Sequence, residues 1–462
     1  MKLSDIVDFN PKRSLKKGVY ASFVDMASLP ENGRDISNIV TKIFTGSGAK
    51  FSNNDTLFAR ITPCLENGKT SLVSGLLNDE VAFGSTEFIV LAAKEPEYDS
   101  NYIYYLCRLP EFRSYAQSRM EGTSGRQRVA WQALAEYEYI FPSKSYRKQA
   151  GEILKKIDDK ILLNYQINQT LEQKVRALFK SWFVDFEPVK AKITALVAGG
   201  SQEDATLAAM TAISGKDTDS LAIFEREHPE KYAELMATAK LFPSAMQENV
   251  FEDIPHGWLQ TDLSNLALLN ISSWTKKNAP KSLKYVDLAN TKWGVIHSTE
   301  DFLFSDAPSR ARRILKSGDT IIGTVRPGNG SYAFIEEENL TGSTGFAVLS
   351  PKKGNYSTFI YACSTSKNNI ERLAHLADGG AYPAVNSDVV LATPCTIPTK
   401  DNDALISAFH NYVKSTFDYK KNISIQNRSL EKIRDMLLPK LISGEIDLSV
   451  QAQILNIIME EA

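Results

Sequence analysis

Only four cysteines occur in 462 residues, at positions 64, 107, 363 and 395. They stand far apart and form no CxxC pair, so the sequence encodes neither a disulfide framework nor a thiolate zinc cluster. Reduced, buried thiols in a cytoplasmic protein are the expectation. The five histidines, at 228, 256, 297, 375 and 410, show no ligand spacing for a metal. No apolar run reaches the roughly eighteen residues that a membrane-spanning helix needs, and MKLSDIVDFNPKRS at the start lacks the apolar centre of a secretory signal. Gly68-Lys69-Thr70 has the end of a nucleotide-binding P-loop. The position that must be its first glycine is Pro63, which has no N–H to offer a phosphate. An Asn/Asp-Pro-Pro-Tyr/Phe motif, expected of an amino-methyltransferase, is also missing. Asp158-Asp159-Lys160 and Glu172-Gln173-Lys174 resemble the tail of a metal-dependent nuclease motif, yet both lie on a helical pattern without an upstream acidic strand. They are expected to be solvent-facing helix positions.

The composition that remains, 43% hydrophobic and 23% charged, describes a globular chain too long for one core. Its net charge of −2 is unevenly spread. Residues 190–255 hold 6 Lys and Arg against 11 Asp and Glu, whereas residues 256–400 hold 15 against 12. Basic clusters occur at Lys276, Lys277, Lys281 and Lys284 and at Arg310, Arg312, Arg313 and Lys316. A polyanion senses clustered charge within a Debye length of about 10 Å, so the modest total does not exclude one.

The chain repeats itself. GSTEFIVL (Gly84–Leu91) returns as GSTGFAVL (Gly342–Leu349), and NDTLFARITP (Asn54–Pro63) returns as GDTIIGTVRP (Gly318–Pro327). YIFPS at 139–143 matches CTIPT at 395–399, and LEQKVRALF (Leu171–Phe179) matches LEKIRDMLL (Leu430–Leu438). Each copy begins with short apolar or alternating runs bounded by Gly, Asn, Asp and Pro, the pattern of a β-rich module. Each ends in one long amphipathic helix.

The first helix carries Leu154, Ile157, Ile161, Asn164, Ile167, Leu171, Val175, Leu178 and Trp182 at spacings of three and four. The second carries Leu405, Phe409, Tyr412, Thr416, Tyr419, Ile423, Gln426, Leu430, Ile433 and Leu437. Ser143 or Ser145 is expected to cap the first and Asp401 the second, with Pro188 and Pro439 following their ends. A helix of about 37 residues is about 55 Å long, and its apolar stripe needs a partner of the same length. The spacing predicts an α+β fold of two β-rich domains joined by a pair of long antiparallel coiled-coil helices, with an internal pseudo-two-fold repeat. The expected segments are 1–145 and 256–400 for the domains, 146–189 and 401–440 for the helices, 190–255 for an acidic helical linker and 441–462 for a C-terminal tail.

Three further stretches carry a family resemblance. LFKSWFVDFEPVKAK (Leu178–Lys192) and IRDMLLPKLISGEIDL (Ile433–Leu448) look like the ends of two helical regions, and IPHGW (Ile254–Trp258) looks like the entry to a second recognition domain. Together with the repeat, they resemble the specificity subunit of type I restriction–modification systems over nearly the whole chain. The resemblance implies a non-catalytic subunit whose two target-recognition domains each read half of an interrupted double-stranded DNA sequence. It implies two methyltransferase subunits docked on the helices and motor–nuclease subunits recruited for restriction. The cofactors it implies belong to those partners, S-adenosylmethionine to the former and ATP with Mg to the latter, with none in this chain.

Candidate DNA contacts follow from the strand–turn regions and Gly-rich loops. Arg60, Thr62, Asn67 and Lys69 lie on PCLENGKTSLV and the strand before it; Arg326, Asn329 and Ser331 lie on the matching PGNGSYAFI region. The loop GTSGRQRV (Gly122–Val129) offers Arg126, Gln127 and Arg128, forked donors suited to base edges or phosphates. Its counterpart DGGAYPAV (Asp378–Val385) offers Tyr382, and Asn386 follows it. Phe179, Trp182, Phe183, Phe186, Leu437 and Leu438 read as apolar surface for the partner subunits. A two-module scaffold that binds proteins or glycans is the alternative.

Overall fold

The computed structural model describes residues 1–123, 125–249, 252–380, 382–399 and 402–448. It divides into two units, one built from Met1–Ile167 and the stretch from Ile423 onward, the other from Asn168–Asn422. Asp401 and the end of the expected tail, 449–462, lie outside the described residues.

In the first unit, β1 (Val7–Phe9), β2 (Tyr20–Val24), β3 (Val40–Ile43), β4 (Ala49–Phe51), β5 (Thr56–Ala59), β6 (Thr70–Leu72), β7 (Ala82–Gly84) and β8 (Phe88–Ala93) form two four-stranded sheets. Their orders are β1-β8-β5-β6 and β3-β2-β7-β4, with β2 and β7 parallel. Helices α1 (Pro96–Arg108) and α2 (Pro110–Ser118) follow, each with proline in its first turn, where no N–H is needed. The hairpin of β9 (Met120–Glu121) and β10 (Arg128–Val129) and the single turn α3 (Trp131–Ala135) lead to the long helix α4 (Lys144–Phe183). The Ser143 hydroxyl accepts the Tyr146 N–H at the start of α4.

The second unit contains α5 (Glu187–Val197), α6 (Gln202–Ser214), α7 (Thr218–Glu227) and α8 (Pro229–Leu241), then the strand pair β11 (Met246–Gln247) and β12 (Ile254–Pro255). Next come β13 (Trp258–Asp262), β14 (Ala267–Leu269), β15 (Ser282–Val286), the hairpin β16 (Thr291–Lys292) and β17 (Val295–Ile296), β18 (Glu300–Leu303) and β19 (Ala311–Leu315). They are followed by β20 (Thr320–Gly323), β21 (Tyr332–Phe334), β22 (Leu340–Ser343) and β23 (Phe346–Pro351). Helices α9 (Ser357–Ser364), α10 (Lys367–Leu376) and α11 (Ser387–Leu391), strand β24 (Pro394–Pro398) and helix α12 (Asn402–Ser443) complete the described chain.

The sheets of this unit run β14-β23-β20-β21 and β18-β15-β22-β19, with β15 and β22 parallel. Strand for strand, that is the order of the first unit. The repeat extends to single side chains. Asn10 and Asn270 both adopt positive φ, 48° and 51°, a conformation asparagine tolerates through local hydrogen bonds. Their side-chain oxygens accept the N–H groups of Val90 at 2.9 Å and Val348 at 3.0 Å. Lys94 and Lys352 reach the carbonyls of Ser4 and Ser264, each at 2.7 Å.

Each unit takes part of α4 and part of α12. In the first, Ile157 and Ile161 pack on Leu430, and Asn164 donates to Gln426 at 2.7 Å and Asn427 at 2.8 Å. Asp158 accepts from Tyr105 at 2.6 Å and Arg434 at 2.9 Å. In the second, buried Glu172 pairs with Lys420 and Arg176. Contacts that descend along α12 as they climb α4 make the segments antiparallel within each unit. Neither Asp158 nor Glu172 is a solvated helix position; both are buried and paired. The buried stripe also shifts from the expected one. Asn168, Glu172 and Phe179 face inward in place of Ile167, Leu171 and Leu178, and Val413, Phe417, Asn427 and Leu438 in place of Tyr412, Thr416, Gln426 and Leu437.

The residues expected to face partner subunits are core. Trp182 is 0% exposed and meets Phe242 at 5.3 Å and Phe409 at 5.7 Å, edge to face. Phe179 and Phe183 pack on Phe359, and Phe186 on Trp258. The same cluster extends into α6, α7 and α8 through Met210, Leu221 and Ala239. In the first unit, Leu438 is buried and Leu437 half-buried beside Leu441 and Ile442, whose carbonyl accepts the Tyr102 hydroxyl at 2.7 Å. Pro439 lies inside α12, which ends instead at Gly444, φ 85°, with Glu445 N–H bonded to the Lys440 carbonyl at 3.0 Å. No described helix is long and apolar enough to cross a membrane.

Two outcomes follow. Trp182→Ala should lower stability by about 3–5 kcal/mol in urea denaturation, the cost of a large aromatic lost from a core, and Trp182→Phe by less. Lys420→Met should cost about 3–5 kcal/mol by leaving Glu172 buried without its main counter-charge. Burial pushes the Glu172 carboxyl up, but Lys420 and Arg176 outweigh that and hold it below its ordinary value. A depressed carboxyl contributes stability above the unfolded value of about 4.3, lost as pH falls through the folded value. Acid melts of the wild type and Lys420→Met should therefore converge.

Candidate nucleic-acid interface

In the first unit the strand–turn and the Gly-rich loop meet. β5 continues into Arg60, whose N–H donates to the Glu87 carbonyl at 3.0 Å and whose carbonyl accepts the Val129 N–H at 3.0 Å. Thr62 donates its N–H to the Gln127 carbonyl at 3.0 Å, and its hydroxyl donates to the same oxygen at 3.3 Å. The β9–β10 hairpin is thus sewn along Arg60–Thr62 by backbone bonds, and its tip carries Gly122 and Gly125 at positive φ. Ser124, within that tip, lies outside the described residues.

Arg126 at the tip is exposed and Gln127 half-buried. Arg128 is engaged within the protein: Nε and Nη2 grip the Glu87 carboxylate at 2.7–3.0 Å, and Nη1 donates to the Arg126 carbonyl at 3.1 Å. The hydrogen bond from Arg128 holds the Glu87 carboxyl below its usual value. Beside the hairpin, the buried Arg60 Nε has no hydrogen-bond partner among the described residues. In the turn, exposed Asn67 donates to Glu31 at 3.1 Å, and Lys69 donates to the Met26 carbonyl at 3.0 Å rather than pointing into a phosphate cradle.

The second unit repeats the backbone scheme. Thr324 N–H donates to the Gly345 carbonyl at 2.8 Å, Val385 N–H to the Thr324 carbonyl at 3.0 Å, and Arg326 N–H to the Pro383 carbonyl at 2.7 Å. These bonds match those of Arg60, Val129 and Thr62. The side chains do not match. Thr324, Arg326, Gly345, Tyr382 and Ala384 stand where the first unit has Arg60, Thr62, Glu87, Arg126 and Arg128. Ala381 lies outside the described residues.

Arg326 is exposed, and its guanidinium lies 4.8 Å from the ring centre of Tyr382, itself 71% exposed. Asn329 is exposed in the following turn. Asn386 is exposed but occupied at the start of α11, accepting the Asp388 N–H at 3.2 Å. Ser331, nominated as a contact, is instead 5% exposed; it accepts from Lys292 at 3.0 Å and donates to the Leu288 carbonyl at 3.1 Å. Among the described residues, no cluster of His, Cys, Asp and Glu could hold a metal ion.

The sequence reading missed Glu87, although the repeat carried its signal. GSTEF and GSTGF differ only at Glu87 and Gly345, and only the first copy has an arginine on its hairpin to grip.

Residues 1–173 match the family described as Type I restriction modification DNA specificity domain. The Type I restriction enzyme HindI specificity subunit of Haemophilus influenzae is 31% identical over 427 residues, covering 89% of this chain and 90% of that protein. The chain belongs to the type I restriction–modification specificity subunits. A role in DNA recognition is what that family implies. The Type I restriction enzyme EcoAI specificity subunit of Escherichia coli is 26% identical to this specificity subunit, covering 63% of it and 55% of that protein. The crystal structure of the type I restriction–modification S subunit from M. genitalium aligns over 96% of this chain and 95% of that one, with a TM-score of 0.46 and 13% identity.

The Glu87–Arg128 pair predicts a measurable restraint. Glu87→Gln should leave the fold intact yet raise trypsin cleavage at Arg126 and Arg128 several-fold in limited proteolysis. Unchanged cleavage would mean that the backbone bonds alone hold the hairpin.

Proposed function

We propose that this specificity subunit reads the two halves of an interrupted double-stranded DNA target, one with each β-rich module. The supporting observation is the duplicated strand–turn and loop, joined by the same three backbone bonds in each copy and divergent in side chains. Reading two different half-sites from one scaffold requires that combination. In the first module the contacts are Arg60, Thr62, Asn67, Lys69, Arg126 and Gln127, with Arg128 and Glu87 positioning the hairpin. In the second they are Arg326, Asn329, Tyr382 and Asn386, with Ser331 supporting the turn from inside. Residues 1–145 and 256–400 form the modules, and the helices between them set their spacing and dock two methyltransferase subunits. Motor–nuclease subunits join for restriction. The chain performs no chemistry itself: S-adenosylmethionine belongs to the methyltransferases, and ATP with Mg to the motors.

The test is single-molecule sequencing of genomic DNA from cells that express this chain with its methyltransferase, against the methyltransferase alone. The expected result is N6-methyladenine confined to one interrupted motif and dependent on this chain. Arg326→Ala should relax or weaken one half of that motif and leave the other unchanged. A stable complex that methylates nothing and binds DNA without salt dependence would point to a protein- or glycan-binding scaffold instead.

A further inference from the structure

The β16–β17 hairpin turns through only two residues, Trp293 and Gly294, both at positive φ, 49° and 88°. A tight hairpin needs that geometry, and asparagine, aspartate or glycine normally supplies it. Tryptophan in the left-handed region is an outlier of the kind that collects at functional sites. Nor is the indole hidden: Trp293 is 59% exposed, although its neighbour Tyr332 is buried.

The surroundings hold the ring in place. Trp293 N–H donates to the Gly330 carbonyl at 2.7 Å, and Gly294 N–H to the Tyr332 carbonyl at 2.9 Å. The indole lies against Gly330 so closely that a Cβ there would sit 2.6 Å from ring atoms, which only glycine permits. Tyr332 meets it edge-on, 6.0 Å between centroids. The ring also walls a cavity of about 410 Å³, shared with Tyr332, Ile370, Ala374 and Arg176 and with the charged pair Lys367 and Glu371. The turn to which Trp293 is bonded is the one that carries Arg326 and Asn329, so the indole adjoins the contacts proposed for the second module.

We propose that Trp293 is a stacking platform for a DNA base that leaves the duplex stack in the half-site read by the second module, with the adjoining cavity receiving that base. Aromatic faces take any base because every base has a π-face, and Ile370, Ala374 and Tyr332 give the cavity an apolar lining for one, while Lys367 and Glu371, 3.9 Å apart, offset each other in charge at its edge. In the first unit Glu31, bonded to Asn67, stands beside the equivalent turn in place of an indole. The distortion is therefore confined to one half of the target. The proposal rests on the DNA-reading role above.

The test uses the complex of this chain with its methyltransferase subunits and duplexes of the mapped target. 2-Aminopurine replaces one base at a time at positions other than the methylated adenine. One position in the second half should change in fluorescence on binding. Trp293→Ala should abolish that change and weaken binding about tenfold, the scale of one lost base–aromatic stack, while Trp293→Phe retains both. A wild-type complex that binds the target but perturbs no probe, or a response that survives Trp293→Ala, overturns the platform and leaves the DNA-reading role standing. Failure of Trp293→Ala to assemble with the methyltransferase would make the indole a protein contact and also overturn it. Absence of any target binding by the wild type removes the DNA-reading role and the platform together.

Discussion

The β-rich units depend on helix segments from elsewhere in the chain to close their cores. In the first unit, Tyr102, Ile103 and Phe112 lie in one cluster with Leu438, Leu441 and Ile442 of α12, more than 300 residues later. In the second, Phe359 and Phe409 close over Phe179, Trp182 and Phe183 of α4. The long helices are thus as much a part of each module's interior as its own strands. Folding of either unit requires contacts of very large sequence separation, whose closure entropy must be met before they contribute.

Given those cores, the proposed recognition surface can vary cheaply. Both hairpins attach to the strand–turn through main-chain groups, Thr62 to Gln127 and Arg326 to Pro383, which make no demand on side-chain identity. Substitution at the tip therefore leaves the scaffold alone. In the first unit the Glu87–Arg128 ion pair adds a second attachment, whereas Gly345 and Ala384 offer no such pair in the second and Arg326 lies against Tyr382 instead. One arrangement favours a firmly aimed arginine, the other an exposed tyrosine under a guanidinium.

Much of this was legible in the sequence because the repeat preserves positions with backbone duties. The two β-rich copies and both long helices could be read from local pattern alone. The helix seam could not. Ile167 and Leu171 look like core, but Asn168 and Glu172 are the buried residues, and the cations that make Glu172 tolerable are Arg176 and the distant Lys420. Trp182, Phe183 and Phe186 read as exposed apolar surface for a similar reason. Their cover is distant in sequence: Phe242 at the end of the acidic stretch, Trp258 of β13, Phe359 of α9 and Phe409 of α12. The Arg326–Tyr382 stack and the left-handed Trp293 depend on backbone angles and on loops brought together by the fold, and no local pattern announces either.

The division of the chain bears on how such a protein diversifies. The second unit is one uninterrupted stretch, 168–422, and the first is assembled from both ends. A pair of crossovers inside the two helices would hand over the middle stretch as a cassette, complete with its own core, including Trp182 and Phe409, and its own ion pairs. The recipient would keep every residue of its other unit. Exchange of the first unit has no such shortcut, because its two pieces must arrive already matched, Tyr105 and Asp158 to Arg434 and Asn164 to Asn427. The middle stretch is thus the one unit that a single continuous exchange carries with its contacts intact.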